Sequence, residues 1–544
     1  MDMDKDQMVT PVSERQLRSV FPSAGVYVNP TPGELPIVGT GNFRGNTYYG
    51  KYILDLFKEC GINIAQFQMG SGAPQTTIRK GMDGNQEHLE LLPNSPLSFN
   101  EKLDNLLSNI QYSLVNCNAS KIFQLIRIGY PGADSGLESW VRNWEKIVKE
   151  PFDYASWIAG WMLDDESPQS KFVNLANAKS TIQRFALEQY QDLKVYVNLL
   201  PCWSWSRQYN RSDTVKMSAA KWLQYLNYLE AFKAEFNPNP WSFDFYAFSR
   251  AREVGHTDRI NKLGVEYFRS LWLFWKISGL TGVPFWPYLR VMDRYLPYND
   301  DWENDCIATI PRLRLQAFCS LAFGAQGLVC WNMCTRWYPD KGYLMMYPDN
   351  DKDNGIITTE QTFMCAPLNV IYKGFEEIGL NDAKGRQPGL FVPNESMETG
   401  KIQKVEKTPI YTNLQEVLKQ VRAHQDVFLG STVTDIKRGS VPSYYEGVQL
   451  DCIPIMTSEF GSISEILDAK SALPPVLISR VSKGMKEYMV IVNLDWKNDI
   501  QFKVKINRTV VLHGTNITYT PAQAGENGLD FALPPADWLI LETK

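Results

Sequence analysis

Three consecutive carboxylates, Asp164, Asp165 and Glu166, are the strongest chemical signal in the sequence. They follow the apolar run 157–163 directly, and Ser167 and a proline come next. Carboxylates carry out acid–base and nucleophilic chemistry, and a buried strand that ends in acids just before a helix is how (β/α) barrels present catalytic groups. The alternative is that these acids only cap a helix beginning at Ser167 and favour its positive end.

Further polar and aromatic residues stand at the ends of other predicted strands. Amides and arginines hold hydroxyl groups, tryptophans stack on sugar rings, and paired carboxylates cleave glycosidic bonds. The predicted catalytic set is Glu166, Asp244, Asp293 and Asp165. The predicted substrate-binding set is Arg127, Trp161, Asn198, Trp203, Tyr246, Trp286, Arg290, Trp331 and Asn332.

Several of these residues have a plain structural alternative. Asp244 is also expected if a buried acid pairs with Arg127 or Arg290, because buried charges need partners. Trp286 and Trp331 are also expected if they only pack the mouth of a barrel. Asn198 is also compatible with the cap of a local turn.

Short apolar segments alternate with amphipathic ones between residues 24 and 378, which predicts eight strand–helix units. This pattern favours a (β/α)8 TIM barrel with a final helix near Thr362–Glu377. A doubly wound sheet is the rival, but the sequence has neither of the glycine-rich phosphate loops typical of that fold. The predicted strands are 24–29, 62–68, 121–127, 157–163, 194–200, 241–247, 283–290 and 327–332.

Beyond the predicted barrel the segments become short, alternating and separated by turns. They predict an all-β sandwich domain, with one helical patch near Asn413–Ala423. The predicted organisation is therefore an N-terminal extension (1–23), a barrel (24–380) and a C-terminal β-sandwich (381–544).

Composition excludes several classes of partner. The 544 residues carry a net charge of −5 with no basic run, which argues against nucleic acid as a partner. Nine scattered cysteines and four distant histidines predict no metal site and no disulfide framework, and we expect no cofactor. The sequence shows no membrane span and no export signal, which predicts a cytoplasmic location by default, or a periplasmic or extracellular one if a signal peptide has been removed. The oligomeric state is left open.

Four motifs in order carry a resemblance to a known family. They are Gly160–Pro168, Tyr196–Pro201, Phe243–Tyr246 and Ser320–Leu328. Together they resemble the β-galactosidase-like TIM-barrel glycoside hydrolases, a family-42-like group with many similar proteins in Bacteroides-type bacteria. The resemblance covers about residues 24–380.

The resemblance implies an acid/base glutamate after strand four, preceded by asparagine, and a nucleophilic glutamate at the end of strand seven. Glu166 matches the first position, with Asp165 in place of the asparagine. Strand seven ends without a glutamate; Asp293 is the nearest acid, and Asp244 on strand six is the next candidate.

These observations predict a glycoside hydrolase that cleaves an oligo- or polysaccharide with Glu166 as proton donor and Asp244 or Asp293 as partner carboxylate. The missing glutamate on strand seven supports a rival, a non-catalytic carbohydrate-binding barrel. An aldolase-like barrel would need a Schiff-base lysine at a strand end, and the predicted strand ends offer none.

Overall fold

The structure is a computed structural model of the chain. It describes residues 17, 29–41, 50–69, 79–83, 86–90, 99–129, 137–202, 217–248, 263–291, 293–295, 308–334, 336–338, 343–345, 363–365, 409–445 and 447–544.

A closed parallel barrel of eight strands confirms the predicted fold class. Each strand pairs with its neighbours in chain order, and the first strand closes the barrel against the last. The strands are β1 (Ile37–Gly41), β2 (Ile64–Met69), β3 (Phe123–Ile128), β4 (Ile158–Asp165), β5 (Lys194–Leu199), β6 (Trp241–Asp244), β7 (Phe285–Arg290) and β8 (Leu328–Cys334).

Side chains alternate between the inside of the barrel and the surrounding helices, as strand geometry requires. On β5, Val195 and Val197 belong to the large core shared with the helices, whereas Tyr196 belongs to a separate cluster inside the barrel. That inner cluster includes Val38, Met162 and Val329 from other strands.

In the described part of the chain eight helices surround the barrel, and none of the described helices is long and apolar enough to cross a bilayer. The spacing of apolar residues predicts the second helix well, because Leu106, Ile110 and Leu114 on it are all buried. The helices are α1 (Gly50–Cys60), α2 (Phe99–Ser120), α3 (Leu137–Lys149), α4 (Phe172–Phe185), α5 (Ala219–Phe236), α6 (Tyr267–Thr281), α7 (Ile310–Ala322) and α8 (Pro409–Ala423).

The predicted first strand is wrong. Strand β1 comes later in the chain, and Asn29 instead forms the turn before it, donating from Nδ2 to Thr31 O and Glu34 O. Residues 24–28 lie outside the described part of the chain. Strand β1 contains two glycines, which interrupt its apolar pattern, so the sequence does not predict it. Gly39 is needed there because a Cβ would lie only 2.8 Å from the ring of Phe57.

The eighth helix also comes later than expected. Phe363–Cys365, within the predicted last helix, is a short strand, and all the remaining residues of that segment lie outside the described chain. Helix α8 takes the place beside α1 instead, where the Tyr411 hydroxyl donates to Leu56 O at 3.0 Å. We therefore propose that the domain boundary falls after Ala423 rather than at 380/381.

The C-terminal region consists of two antiparallel sheets and confirms the predicted all-β domain. One sheet has the order β9-β11-β12-β17-β14-β15, and the other has the order β10-β13-β16. The strands are β9 (Thr432–Arg438), β10 (Ile463–Asp468), β11 (Val476–Lys483), β12 (Lys486–Asn493), β13 (Ile500–Ile506), β14 (Val510–Leu512), β15 (Thr518–Tyr519), β16 (Leu529–Leu533) and β17 (Trp538–Thr543).

The larger sheet packs directly on barrel helices α6 and α7. Trp538 stacks on Phe318 of α7, with ring centroids 3.9 Å apart, and Trp275 of α6 donates to Val433 O at 2.9 Å. Arg269 of α6 is only 6% exposed and binds Asp451. The two domains therefore share one apolar core at this face.

Candidate active site

The turn after β4 holds Glu166 in an unusual backbone conformation. Its φ of +53° lies in the left-handed region, which non-glycine residues adopt rarely. The Glu166 N–H donates to Asn198 O on β5 at 2.9 Å, which fixes the turn against the neighbouring strand. Glu166 is partly exposed at the carboxyl end of the barrel.

Asp164 has a structural role. Its Oδ2 accepts hydrogen bonds from Ser167 Oγ at 2.6 Å and from Lys171 Nζ at 2.9 Å. The Ser167 hydroxyl therefore donates to Asp164 and does not cap the helix. Helix α4 starts only at Phe172, after a short 3-10 turn.

Asp165 forms the centre of a polar network across four adjacent strands. Its Oδ2 lies 3.3 Å from Arg127 Nη2 on β3, and its Oδ1 accepts from Asn198 Nδ2 on β5 at 2.8 Å. Asn198 Oδ1 in turn accepts from Ser242 Oγ on β6 at 3.2 Å. Both ends of the Asn198 amide are thus hydrogen-bonded within the protein, and the amide orients Asp165. The predicted role of Asn198 in binding substrate stays a prediction.

Asp244, at the end of β6, forms a carboxyl pair with Glu166. Burial raises the pKa of Asp244 well above its ordinary value, and the charge of Glu166 and a hydrogen bond with Glu166 raise it further. The side chain is 4% exposed, and no group in the described chain hydrogen-bonds its Oδ1. A second carboxylate this close disfavours the ionisation of Asp244, because two negative charges repel each other.

Two aromatic rings form a wall beside this pair. Tyr246, two residues after Asp244, stacks on Trp331 of β8 with ring centroids 5.1 Å apart, and both rings are partly exposed. Burial and then the charge of Asp244 raise the pKa of Tyr246 well above its ordinary value. Arg290, at the end of β7, donates from Nη1 to Phe248 O at 3.2 Å.

The prediction that Trp161 and Trp286 bind sugar is wrong, because both side chains are fully buried. Trp161 is fully buried on the outer side of β4, in edge contact with Trp144 of α3 and with Tyr190. Trp286 lies near the start of β7, where its fully buried ring packs against Tyr196 and against Gly327 inside the barrel. Neither indole reaches the mouth of the barrel.

Three predicted residues fall wholly or partly outside the description. Asn332 lies on β8, and Asp293 starts a short strand, Asp293–Tyr295, just beyond β7, but their side chains are outside the described part of the structure. Trp203 lies outside the described residues altogether. Their predicted roles stay predictions.

Two tyrosines below the acids were missed in the sequence. Tyr288 stands opposite Asp244 in the β6–β7 register, and Tyr196 donates to Gln66 Oε1 at 2.7 Å. Counting back by two from Arg290 and Asn198 would have identified both, since residues two apart point to the same side of a strand.

The described residues contain no cluster of three or more His, Cys, Asp or Glu that could hold a metal ion. What the carboxyl end of the barrel does bring together is the carboxyl pair of Glu166 and Asp244, an anchored acid at Asp165, a cation at Arg127 and an aromatic wall. This arrangement is suited to proton transfer beside a polyhydroxylated ligand.

A comparison with protein-family profiles found no match, and a comparison with curated protein sequences also found none. Among solved structures, the chain is similar to the α-amylase of Geobacillus thermoleovorans at 8% identity, with a TM-score of 0.42 over 96% of this chain and 98% of that one. It is also similar to the α-fucosidase of Thermotoga maritima, at 8% identity with a TM-score of 0.37 over 92% and 80% of the two chains. A third similar structure is an exo-β-1,4-mannosidase of an Opitutaceae bacterium, at 11% identity and a TM-score of 0.37 over 75% and 63%. Scores of this size describe distant similarity, and the barrel is established by its own strand order.

Proposed function

We propose that the protein is a glycoside hydrolase in which Glu166 and Asp244 act together as the acid/base unit. The observation that carries this proposal is the hydrogen-bonded Glu166–Asp244 pair at the carboxyl end of the barrel. Because the pKa of Asp244 is raised well above its ordinary value, Asp244 keeps its proton to a higher pH than an exposed carboxyl group does, and it can resupply a general acid beside it. Glu166, the more exposed member, delivers that proton to the glycosidic oxygen.

The surrounding residues support a sugar as the ligand. The Tyr246–Trp331 wall offers flat apolar surface to a sugar ring, and Asp244 Oδ1 offers a buried acceptor to a hydroxyl group. Arg127 and Asp165 hold each other beside the pair and offer their remaining donors and acceptors to the same ligand.

The partner carboxylate in this proposal is Asp293. Hydrogen-bonded carboxyl oxygens lie roughly 2.5–3 Å apart, whereas a retaining pair stands about 5–5.5 Å apart and an inverting pair about 6.5–9.5 Å apart. Asp244 is therefore too close to Glu166 to face it across a sugar. Asp293 follows the end of β7, where the family resemblance places the nucleophile.

Replacing Glu166 with Gln tests the proposal. The variant removes the acid while keeping the shape of the side chain, so turnover of oligosaccharides and aryl glycosides should fall by about 10²–10⁴-fold. Glu188→Gln is the matched control, because Glu188 is an exposed acid on the loop leading into the opposite end of β5. Equal rates for wild type and Glu166→Gln would contradict the proposal.

A non-catalytic carbohydrate-binding barrel is the second candidate, favoured by the ending of β7 in Arg290 with no carboxylate. In that case the wild type turns over none of the glycosides, while calorimetric titration still detects oligosaccharide binding. Glu166→Gln then leaves the affinity nearly unchanged.

A further inference from the structure

We propose that Tyr228 is a positioning residue that holds the turn carrying Glu166 against the end of β5; this inference rests on the function proposed above. Tyr228 lies on α5, and its hydroxyl donates to Ser167 O at 2.8 Å. The Tyr228 hydroxyl oxygen also accepts a hydrogen bond from Leu200 N, just beyond β5, at 3.4 Å. One buried hydroxyl therefore joins the loops that follow two adjacent strands.

The turn needs such support because its backbone is strained. A non-glycine residue in the left-handed region costs about 1–3 kcal/mol and persists only where its surroundings fix it. Two contacts hold the turn, one at the peptide that precedes Glu166 and one at the peptide that follows Ser167. The N–H of Glu166 is bound to Asn198 O, and the carbonyl of the next residue, Ser167, is bound to Tyr228.

The tyrosine is itself held rigidly. Its ring stacks on Tyr225 with centroids 5.9 Å apart and packs against Phe172 of α4 at 5.1 Å. Burial raises the pKa of Tyr228, and the nearby charges of Asp244 and Glu166 raise it further. The hydroxyl therefore stays protonated and remains a donor to the turn while the acids below it exchange protons.

Tyr228→Phe removes the hydroxyl and keeps the ring. The turn should then relax away from β5, Glu166 should separate from Asp244, and the pKa of Asp244 should fall, because a contact that raises it is lost. Difference infrared spectroscopy follows the protonated carboxyl band of Asp244 against pH, with Asp244→Asn to assign the band. With an active glycoside, kcat should fall by about 10–100-fold at nearly constant KM.

Tyr225→Phe is the matched control. Tyr225 is one turn earlier on the same helix, and its hydroxyl donates to Leu200 O at 3.0 Å, away from the Glu166 turn. It should leave the infrared titration and kcat at their wild-type values. Identical titration curves for the two variants would overturn the proposal, as would a Tyr228→Phe variant that fails to fold, which would make the hydroxyl a requirement of the fold.

The two proposals can fail separately. If the wild type cleaves no glycoside, the proposed hydrolase is wrong, but the infrared titration still decides whether Tyr228 sets the position of Glu166. If the wild type cleaves glycosides and the titration does not move, only the role of Tyr228 is wrong.

Discussion

At the scale of single residues, the burial of Asp244 links the stability of the protein to pH. Its raised pKa means that the folded state binds a proton more tightly than the unfolded state does. The stabilisation is complete below the unfolded pKa, near pH 4, and it is lost as pH rises towards the folded pKa. The buried acid that we propose for proton transfer is therefore also a site where the fold loses stability on ionisation.

Asp244→Asn should remove this dependence. As pH rises above about 4, the wild type should lose unfolding free energy through this group until the folded pKa is passed. The Asn variant should show a flatter profile over the same range in denaturant melts. Parallel profiles for the two proteins would show that Asp244 ionises equally easily in the folded and unfolded states.

At the scale of elements, the close approach of β4 and β5 determines where the acids lie. Gly160 on β4 permits this approach, because a Cβ there would lie 2.5 Å from Lys194 O on β5. Both strands continue from this point to the acid turn and to Asn198. A side chain at Gly160 would push apart the two strands that hold the acid turn.

Gly160→Ala should therefore destabilise the fold by about 1–3 kcal/mol. Its control is Gly279→Ala on α6, where a Cβ meets nothing within 4 Å and Ala should stabilise the helix, by roughly 0.5–1 kcal/mol. Scanning calorimetry should give a lower Tm for the first variant and an unchanged or higher Tm for the second. A Gly160→Ala variant as stable as the wild type would mean that the strands separate without cost.

The sequence predicts most elements because their periodicity is strong. Strand β4 and helix α2 follow from apolar patterns that the barrel preserves. Strand β1 does not, because Gly39 is required by contact with Phe57, a residue of α1, and contacts between separate elements leave no local pattern.

The sequence predicts the candidate site only in part, because some of its features depend on contacts between separate elements. Asp165, Glu166 and Asp244 are found because acids after apolar strands are rare enough to stand out. Trp161 and Trp286 fail because a residue's place along a strand, and the side it faces, depend on register. The hydrogen bond between Glu166 and Asp244 joins residues on different strands and could not be predicted from spacing.

At the scale of the whole molecule, the β-sandwich and the barrel share one apolar core. Trp538 packs between Phe318 of α7 and Phe428, and buried Arg269 binds Asp451 across the same face. A large apolar interface of this kind makes two domains unfold together. The two units should therefore melt as one.

Trp538→Ala should lower the stability of the whole molecule by about 3–5 kcal/mol, within a single calorimetric transition. Phe502→Ala is the comparison, because Phe502 lies in the separate core of the sandwich, away from the barrel. Both variants should shift the same transition. Two resolved peaks, with Phe502→Ala moving only one of them, would contradict this coupling.

The late position of α8 has a consequence for how the chain folds during translation. The strands of the barrel are complete by Cys334, but α8, which covers α1, begins only at Pro409. Arg422 near its end binds Gly61 O at 2.8 Å and Leu35 O at 2.7 Å. During translation α8 is therefore synthesised well after the last strand of the barrel, and the side of α1 that α8 contacts stays uncovered until then.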